Sequence, residues 1–146
     1  MFEKFGEFGS MEELNAAAAG LMQEGDWESL KILAEENGID VEEAQDYMTG
    51  ETKTLVTPFT AALGRLKVLE KASKLDASVR NVIFRMVEAM MQDADMPALV
   101  MKKGKSPDGL FDQMREEAKK HRVGNVAVVC GTDRDIQQRI RRYYSA

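Results

Sequence analysis

Residues 10–50 read SMEELNAAAAGLMQEGDWESLKILAEENGIDVEEAQDYMTG, and this stretch decides the fold class. Ser10 stands three residues before Glu13, the spacing of a capping box, in which side-chain oxygens satisfy N–H groups that the first helical turn leaves unpaired. Leu14, Ala17, Ala18, Leu21 and Met22 then recur at helical spacing, and Gly25 closes the element. Asp26 can cap a second helix with the stripe Trp27, Leu30, Leu33 and Ala34, which Asn37-Gly38 ends through the left-handed conformation both residues tolerate. Asp40 with Glu43 repeats the capping spacing, Val41, Ala44, Tyr47 and Met48 make a third stripe, and Gly50 stops it. The spacing thus predicts three short amphipathic helices in the N-terminal third.

The same reading extends through the rest of the chain. Residues 51–57 are Thr-rich without a helical period and read as a connection. Thr57-Pro58 opens a fourth helix, since proline fits the first turn. It should run to about Lys74 with Phe59, Ala62, Leu63, Leu66 and Leu69 inward and a basic outer face. Asp76 or Ser78 caps a fifth, on which Val79, Val82, Ile83, Met86, Val87 and Met90 form a wide apolar arc at the centre of the core. Residues 97–103 make a short sixth helix, and Ser106-Pro107 starts a seventh that reaches about His121. Residues 123–130, near Gly124 and Gly131, are too short for periodicity to separate a buried strand from a buried helical turn. Thr132 or Asp133 caps a last helix to Tyr144, with Ile136, Ile140 and Tyr143 or Tyr144 inward and Arg134, Arg139, Arg141 and Arg142 outward. The expected fold class is mainly all-α, a compact bundle of about seven or eight short helices in one domain over residues 1–146, with one short strand near 125–130 left open.

A chain of 146 residues with 44% hydrophobic content can build a packed core. Its net charge of −5 is unevenly distributed. Residues 1–56 hold fourteen acids against three bases, a charge of −11, and residues 57–146 hold eleven acids against seventeen bases, +6. An acidic solvated face explains this, and so does a recognition surface. Cys130 is the single cysteine, so no intramolecular disulfide forms. The N-terminus lacks the basic-then-apolar layout of a secretory signal, and the longest apolar run, residues 126–130, is far short of a membrane span. The chain is therefore expected in the cytoplasm, without a membrane partner.

No constellation of residues points to catalysis. His121, the single histidine, lies among Lys119, Lys120 and Arg122 and reads as a surface residue, and one Cys with one His cannot make the usual zinc site in a monomer. Cys130 follows Val128 and Val129, and apolar burial leaves a thiol inert. Glu12-Glu13, Glu35-Glu36 and Glu42-Glu43 stand where helix exteriors and first turns want carboxylates. Residues 102–106, Lys-Lys-Gly-Lys-Ser, have a superficial likeness to a phosphate loop but lack its leading Gly-x-x-x-x-Gly and strand. No cofactor or metal is expected, and the chain reads as a non-enzyme that binds another macromolecule. Self-association would show as an apolar surface around Phe2, Phe5 and Phe8.

Several stretches resemble the PcfK-like family, encoded on conjugative plasmids and other mobile elements of Gram-positive bacteria. They are Met1-Phe-Glu-Lys-Phe-Gly-Glu-Phe, Glu13-Leu-Asn-Ala-Ala-Ala-Ala-Gly-Leu, Gly25-Asp-Trp-Glu-Ser-Leu with Ala34-Glu-Glu-Asn-Gly-Ile-Asp, and Tyr47 before Gly50. Ala61-Ala-Leu-Gly-Arg-Leu, Lys103-Gly-Lys-Ser and Arg139-Ile-Arg-Arg-Tyr-Tyr follow. The likeness is densest over the first 67 residues; residues 67–74 are more basic than the family's pattern, and residues 126–133 differ from its Gly-rich turn. The family includes anti-CRISPR inhibitors of type II effector nucleases, so the resemblance implies a bacterial cytoplasmic protein that blocks such an effector's DNA binding or cleavage. An acidic helical face can imitate DNA phosphates in a nuclease channel. The contact set would be Glu12, Glu13, Glu24, Asp26, Glu28, Glu35, Glu36, Glu42, Glu43 and Asp46; inhibitors of this kind can instead lock a conformational step, and the sequence does not separate the two. The alternative is a conjugation accessory or nucleic-acid-binding protein whose C-terminal half contacts phosphates through Lys102, Lys103, Lys105, Arg139, Arg141 and Arg142.

Overall fold

The structure, a computed structural model, describes residues 2–124 and 131–146. All elements among the described residues are helices: α1 (Met11–Glu24), α2 (Trp27–Glu36), α3 (Val41–Thr49), α4 (Pro58–Ala72), α5 (Ala77–Met90), α6 (Met96–Val100), α7 (Pro107–Lys120) and α8 (Asp133–Ser145). The eight-helix, all-α bundle agrees with the expected fold class. None of these helices is long and apolar enough to cross a membrane. The expectation of a strand or buried turn at 123–130 falls mostly on residues 125–130, which with Cys130 as a core thiol lie outside the described residues; of the remainder, Val123 is exposed and not buried as expected.

The helix starts follow from local chemistry. The side chains of Ser10, Asp26, Thr57, Asp76, Ser106 and Thr132 each accept a hydrogen bond from an N–H of the turn they precede. Two details differ from the expected pattern. Glu13 reaches past Ser10 to the Gly9 N–H (2.8 Å). Asp40 makes no side-chain cap and instead faces Lys67 at 3.5 Å. Gly25, Gly38 and Gly50 adopt the left-handed conformation at the ends of α1, α2 and α3.

Helix α4 is the spine, packed on α1, α5 and α6; α2 joins α1 to α3, α5 meets α7, and α6 meets α8. A cluster of buried side chains runs from Leu14 and Leu30 through Ala62, Leu66, Phe84 and Met96 to Ile140 and Tyr144. The acidic helices therefore share a core with the basic half. The turn between α2 and α3 meets α4 backbone to backbone: a Cβ added to Gly64 would lie 2.4 Å from the Asn37 carbonyl.

Four side chains expected in the core are exposed: Trp27, Val41, Phe59 and Val82. Trp27 and Val41 open their helices and Phe59 follows Pro58, so these three belong to first turns. Helical side chains lean toward the N-terminus, and at a first turn this carries them past the packed layer. Val82 sits on an apolar arc wider than the surface that covers α5. The basic outer face expected of α4 is also corrected in part, because Arg65 points inward and is only 3% exposed.

The connection at residues 51–57 contributes more than expected, since Leu55 and Val56 are buried. Asn15 on α1 clamps it by donating to the Val56 carbonyl and accepting from the Val56 N–H, both at 3.0 Å. Asn15→Ala orphans both groups, so urea unfolding is expected to show a loss of about 2 kcal/mol. An unchanged midpoint would mean that the clamp contributes nothing.

Candidate functional site

The expected acidic contact residues lie on α1, α2, α3 and the caps between them. The fold employs some of them. Glu13 bonds the Gly9 N–H, and Asp26 caps α2, its hydrogen bonds to Ser29 holding its carboxyl below the usual value and hence charged at neutral pH. Glu36 accepts from the N–H groups of Lys4 (2.6 Å) and Phe5 (3.2 Å), tying the N-terminal segment to α2. Glu12, Glu24, Glu28, Glu35, Glu42 and Glu43 make no side-chain hydrogen bond or ion pair among the described residues, and all but the half-buried Glu43 are exposed.

Their positions along the helices separate two explanations. Glu12, Glu28, Glu42 and Glu43 occupy first turns, where the helix dipole favours a carboxylate. Glu24, Glu35 and Asp46 occupy last turns, where the dipole opposes one, and no base stands in the last turn of α1, α2 or α3. Local helix stability accounts for the first group and not for the second.

The basic alternative set is largely engaged within the molecule. Lys102 Nζ donates to the Ser145 carbonyl at 3.1 Å, Lys103 lies 3.9 Å from Glu13, and Lys105 Nζ stands 4.6 Å from the centre of the Tyr143 ring. Arg139 pairs with Glu117, and Arg141 with Asp93 and Asp95, both at 2.6 Å. Arg142 is exposed and makes no such pair among the described residues. His121 is exposed at the end of α7, in line with the surface position its neighbours suggest.

Two features escape the sequence reading. One is a clasp around Arg65. Its guanidinium pairs with Glu7 and donates to the carbonyls of Phe8 (3.4 Å), Lys102 (3.1 Å) and Lys105 (3.3 Å), while Glu7 also accepts from the Gly104 N–H. The N-terminal segment is thereby bound to α4 and to the loop before α7. Phe5 and Phe8 pack on the core and Phe2 lies over Arg65, so the three phenylalanines are drawn onto the molecule. The signal was present in the spacing: Arg65 falls four residues after Ala61 and three after Ala62, on the apolar stripe.

The other feature is a groove of about 1790 Å³ between the α2–α3 pair and the C-terminal half of α4. Ile39, Ala44, Met48 and Val68 line it, and the exposed Trp27 and Val41 stand along one side. No family model matches the chain, no curated protein matches its sequence, and no solved structure matches it.

Proposed function

We propose that the protein is a non-enzymatic inhibitor from a mobile element, whose acidic α1–α3 surface enters the positively charged nucleic-acid channel of a type II CRISPR effector nuclease and excludes DNA. The observation that carries this reading is the trio Glu24, Glu35 and Asp46, held against the helix dipoles with no base in those turns. Such charges reduce helix stability where they stand and gain their value from a partner of opposite sign. The acidic surface supports a basic channel as the partner; the PcfK-like resemblance supplies the nuclease as its owner. The internal pairing of five of the six basic candidates gives the phosphate-binding alternative less support.

The test is target cleavage by a panel of type II effectors with wild-type protein and with Glu24→Lys, Glu35→Lys, Glu42→Lys and Glu43→Lys combined. Glu36 is left intact because it anchors Lys4 and Phe5. Inhibition is expected to weaken by about 100-fold or more, in keeping with the loss of desolvated charge pairs, while the helical circular dichroism persists. Undiminished inhibition by the variant would place the contact elsewhere. No inhibition of any effector, together with a salt-sensitive shift of a DNA fragment by the protein alone, would favour the conjugation reading instead.

A further inference from the structure

We infer that the loop at residues 102–106 and the buried Arg65 form a binding site for one small phosphate-class oxyanion, which Glu7 occupies as an internal competitor. This inference does not depend on the proposed target. Lys102-Lys103-Gly104-Lys105-Ser106 has the composition of a phosphate loop without its leading glycine or strand, and the proposed function leaves it unexplained. In the fold this loop does hold an oxyanion, and the anion is a side chain of the same molecule. The Gly104 N–H donates to Glu7 Oε1 at 3.2 Å, and Arg65 Nη2 donates to the same oxygen.

Glu7 fills that place incompletely. Nε and Nη2 lie along one edge of a guanidinium, and an oxyanion that takes both makes the paired bonds for which arginine is suited. Glu7 takes Nη2 alone. Arg65 Nε is buried without a hydrogen-bond partner among the described residues, on a side chain only 4% exposed, and a buried donor left unspent is costly. A phosphate has oxygens enough to take the Gly104 N–H, Nη2 and Nε together. Charge favours the same ligand. Lys102 and Lys105 turn to uncharged partners, the Ser145 carbonyl and the Tyr143 ring, and make no ion pair among the described residues. Asp108, the first acid after the loop, is held by Ser73 and the Lys74 N–H. The Glu7 side chain is one-third exposed, so it can turn to solvent and yield its place. Glu13, 3.9 Å from Lys103, limits the occupant to a single group, because an extended polyanion would run past this carboxylate and a free phosphate would not.

Inorganic phosphate titrated into the full wild-type chain, against chloride at matched ionic strength, tests this through the Gly104 amide resonance. Gly104 is expected to shift saturably with phosphate and not with chloride. Glu7→Gln removes the competing charge and is expected to bind phosphate about tenfold or more tightly than the wild type, since a site freed of its internal occupant is competent more of the time. Phosphate should also raise the urea midpoint of Glu7→Gln more than that of Asn15→Ala, whose lost clamp lies on Val56 and not on the loop. That comparison separates binding from the general stabilising effect of phosphate on folded proteins. A wild-type Gly104 resonance that phosphate moves no more than chloride does overturns the proposal. So does binding to Glu7→Gln within tenfold of the wild type, or a gain in midpoint that Asn15→Ala shares in full, either of which would mean an adventitious ion only.

Discussion

Arg65→Ala is expected to lower the unfolding free energy by about 3–5 kcal/mol, a large share of the roughly 5–15 kcal/mol that holds a domain of this size together. The guanidinium is 3% exposed and meets one carboxylate and three backbone carbonyls from two other parts of the chain. Removing it strands those acceptors and opens a cavity beside α4, and both effects act in the same direction. Arg65→Lys should recover little, because a single ammonium cannot reach acceptors that a planar fork spans. Glu7→Gln should cost about 1–2 kcal/mol, less than Arg65→Ala, because the Glu7 side chain is one-third exposed and Arg65 keeps its carbonyl partners. Urea unfolding would report the order Arg65→Ala, Arg65→Lys, Glu7→Gln from most to least damaging. If Glu7→Gln matched Arg65→Ala, the ion pair and not the carbonyl cage would be the source of the stability.

What could be read from the sequence and what could not follows the range of the interactions involved. Caps such as Ser10, Asp26 and Thr132 act within three residues of themselves, so residue type and spacing suffice to place them. The stripes were also legible in their middle turns, at Leu30, Leu33 and Ala34 or at Ile83, Val87 and Met90. They misled at Trp27, Val41 and Phe59, because burial at a first turn depends on which neighbour covers the helix end, and periodicity carries no information about neighbours. The candidate site divides in the same way. Its acidity is a matter of residue type alone and is legible in the amino-acid sequence. Which acids are committed to the fold is decided by pairs distant in sequence, such as Glu36 with the N–H groups of Lys4 and Phe5, Glu13 with Lys103, and Asp40 with Lys67. The groove lies between the α2–α3 pair and α4, and the approach of α4 to the α2–α3 turn rests on glycines whose partners across the contact no local pattern reveals.

Gly38→Ala and Gly64→Ala test that packing, and each is expected to destabilise the protein by about 3 kcal/mol or more, the upper part of the range for overpacking a close contact. A Cβ on Gly38 would lie 2.3 Å from the Gly64 carbonyl oxygen, and a Cβ on Gly64 would lie 2.4 Å from that of Asn37. The obstacles are backbone atoms of α4 and of the α2–α3 turn, which cannot rotate aside as a side-chain tip would. Gly38 carries the further strain of φ +66°, which a non-glycine residue adopts at a cost of about 1–2 kcal/mol. Gly50 separates the two contributions, because it has φ +84° and open space around its Cβ position. Gly50→Ala should therefore show the conformational cost alone, about 1–2 kcal/mol. Gly64→Ala, in a helix that ordinarily prefers alanine to glycine, should show the steric cost against a small favourable propensity term. Because the clash would part α4 from the α2–α3 turn, it would also widen the groove that Trp27 lines. A change in Trp27 emission is therefore expected with Gly64→Ala and Gly38→Ala and not with Gly50→Ala. Equal losses for all three glycines would show that backbone conformation, and not the approach of α4 to the α2–α3 turn, is what these residues supply.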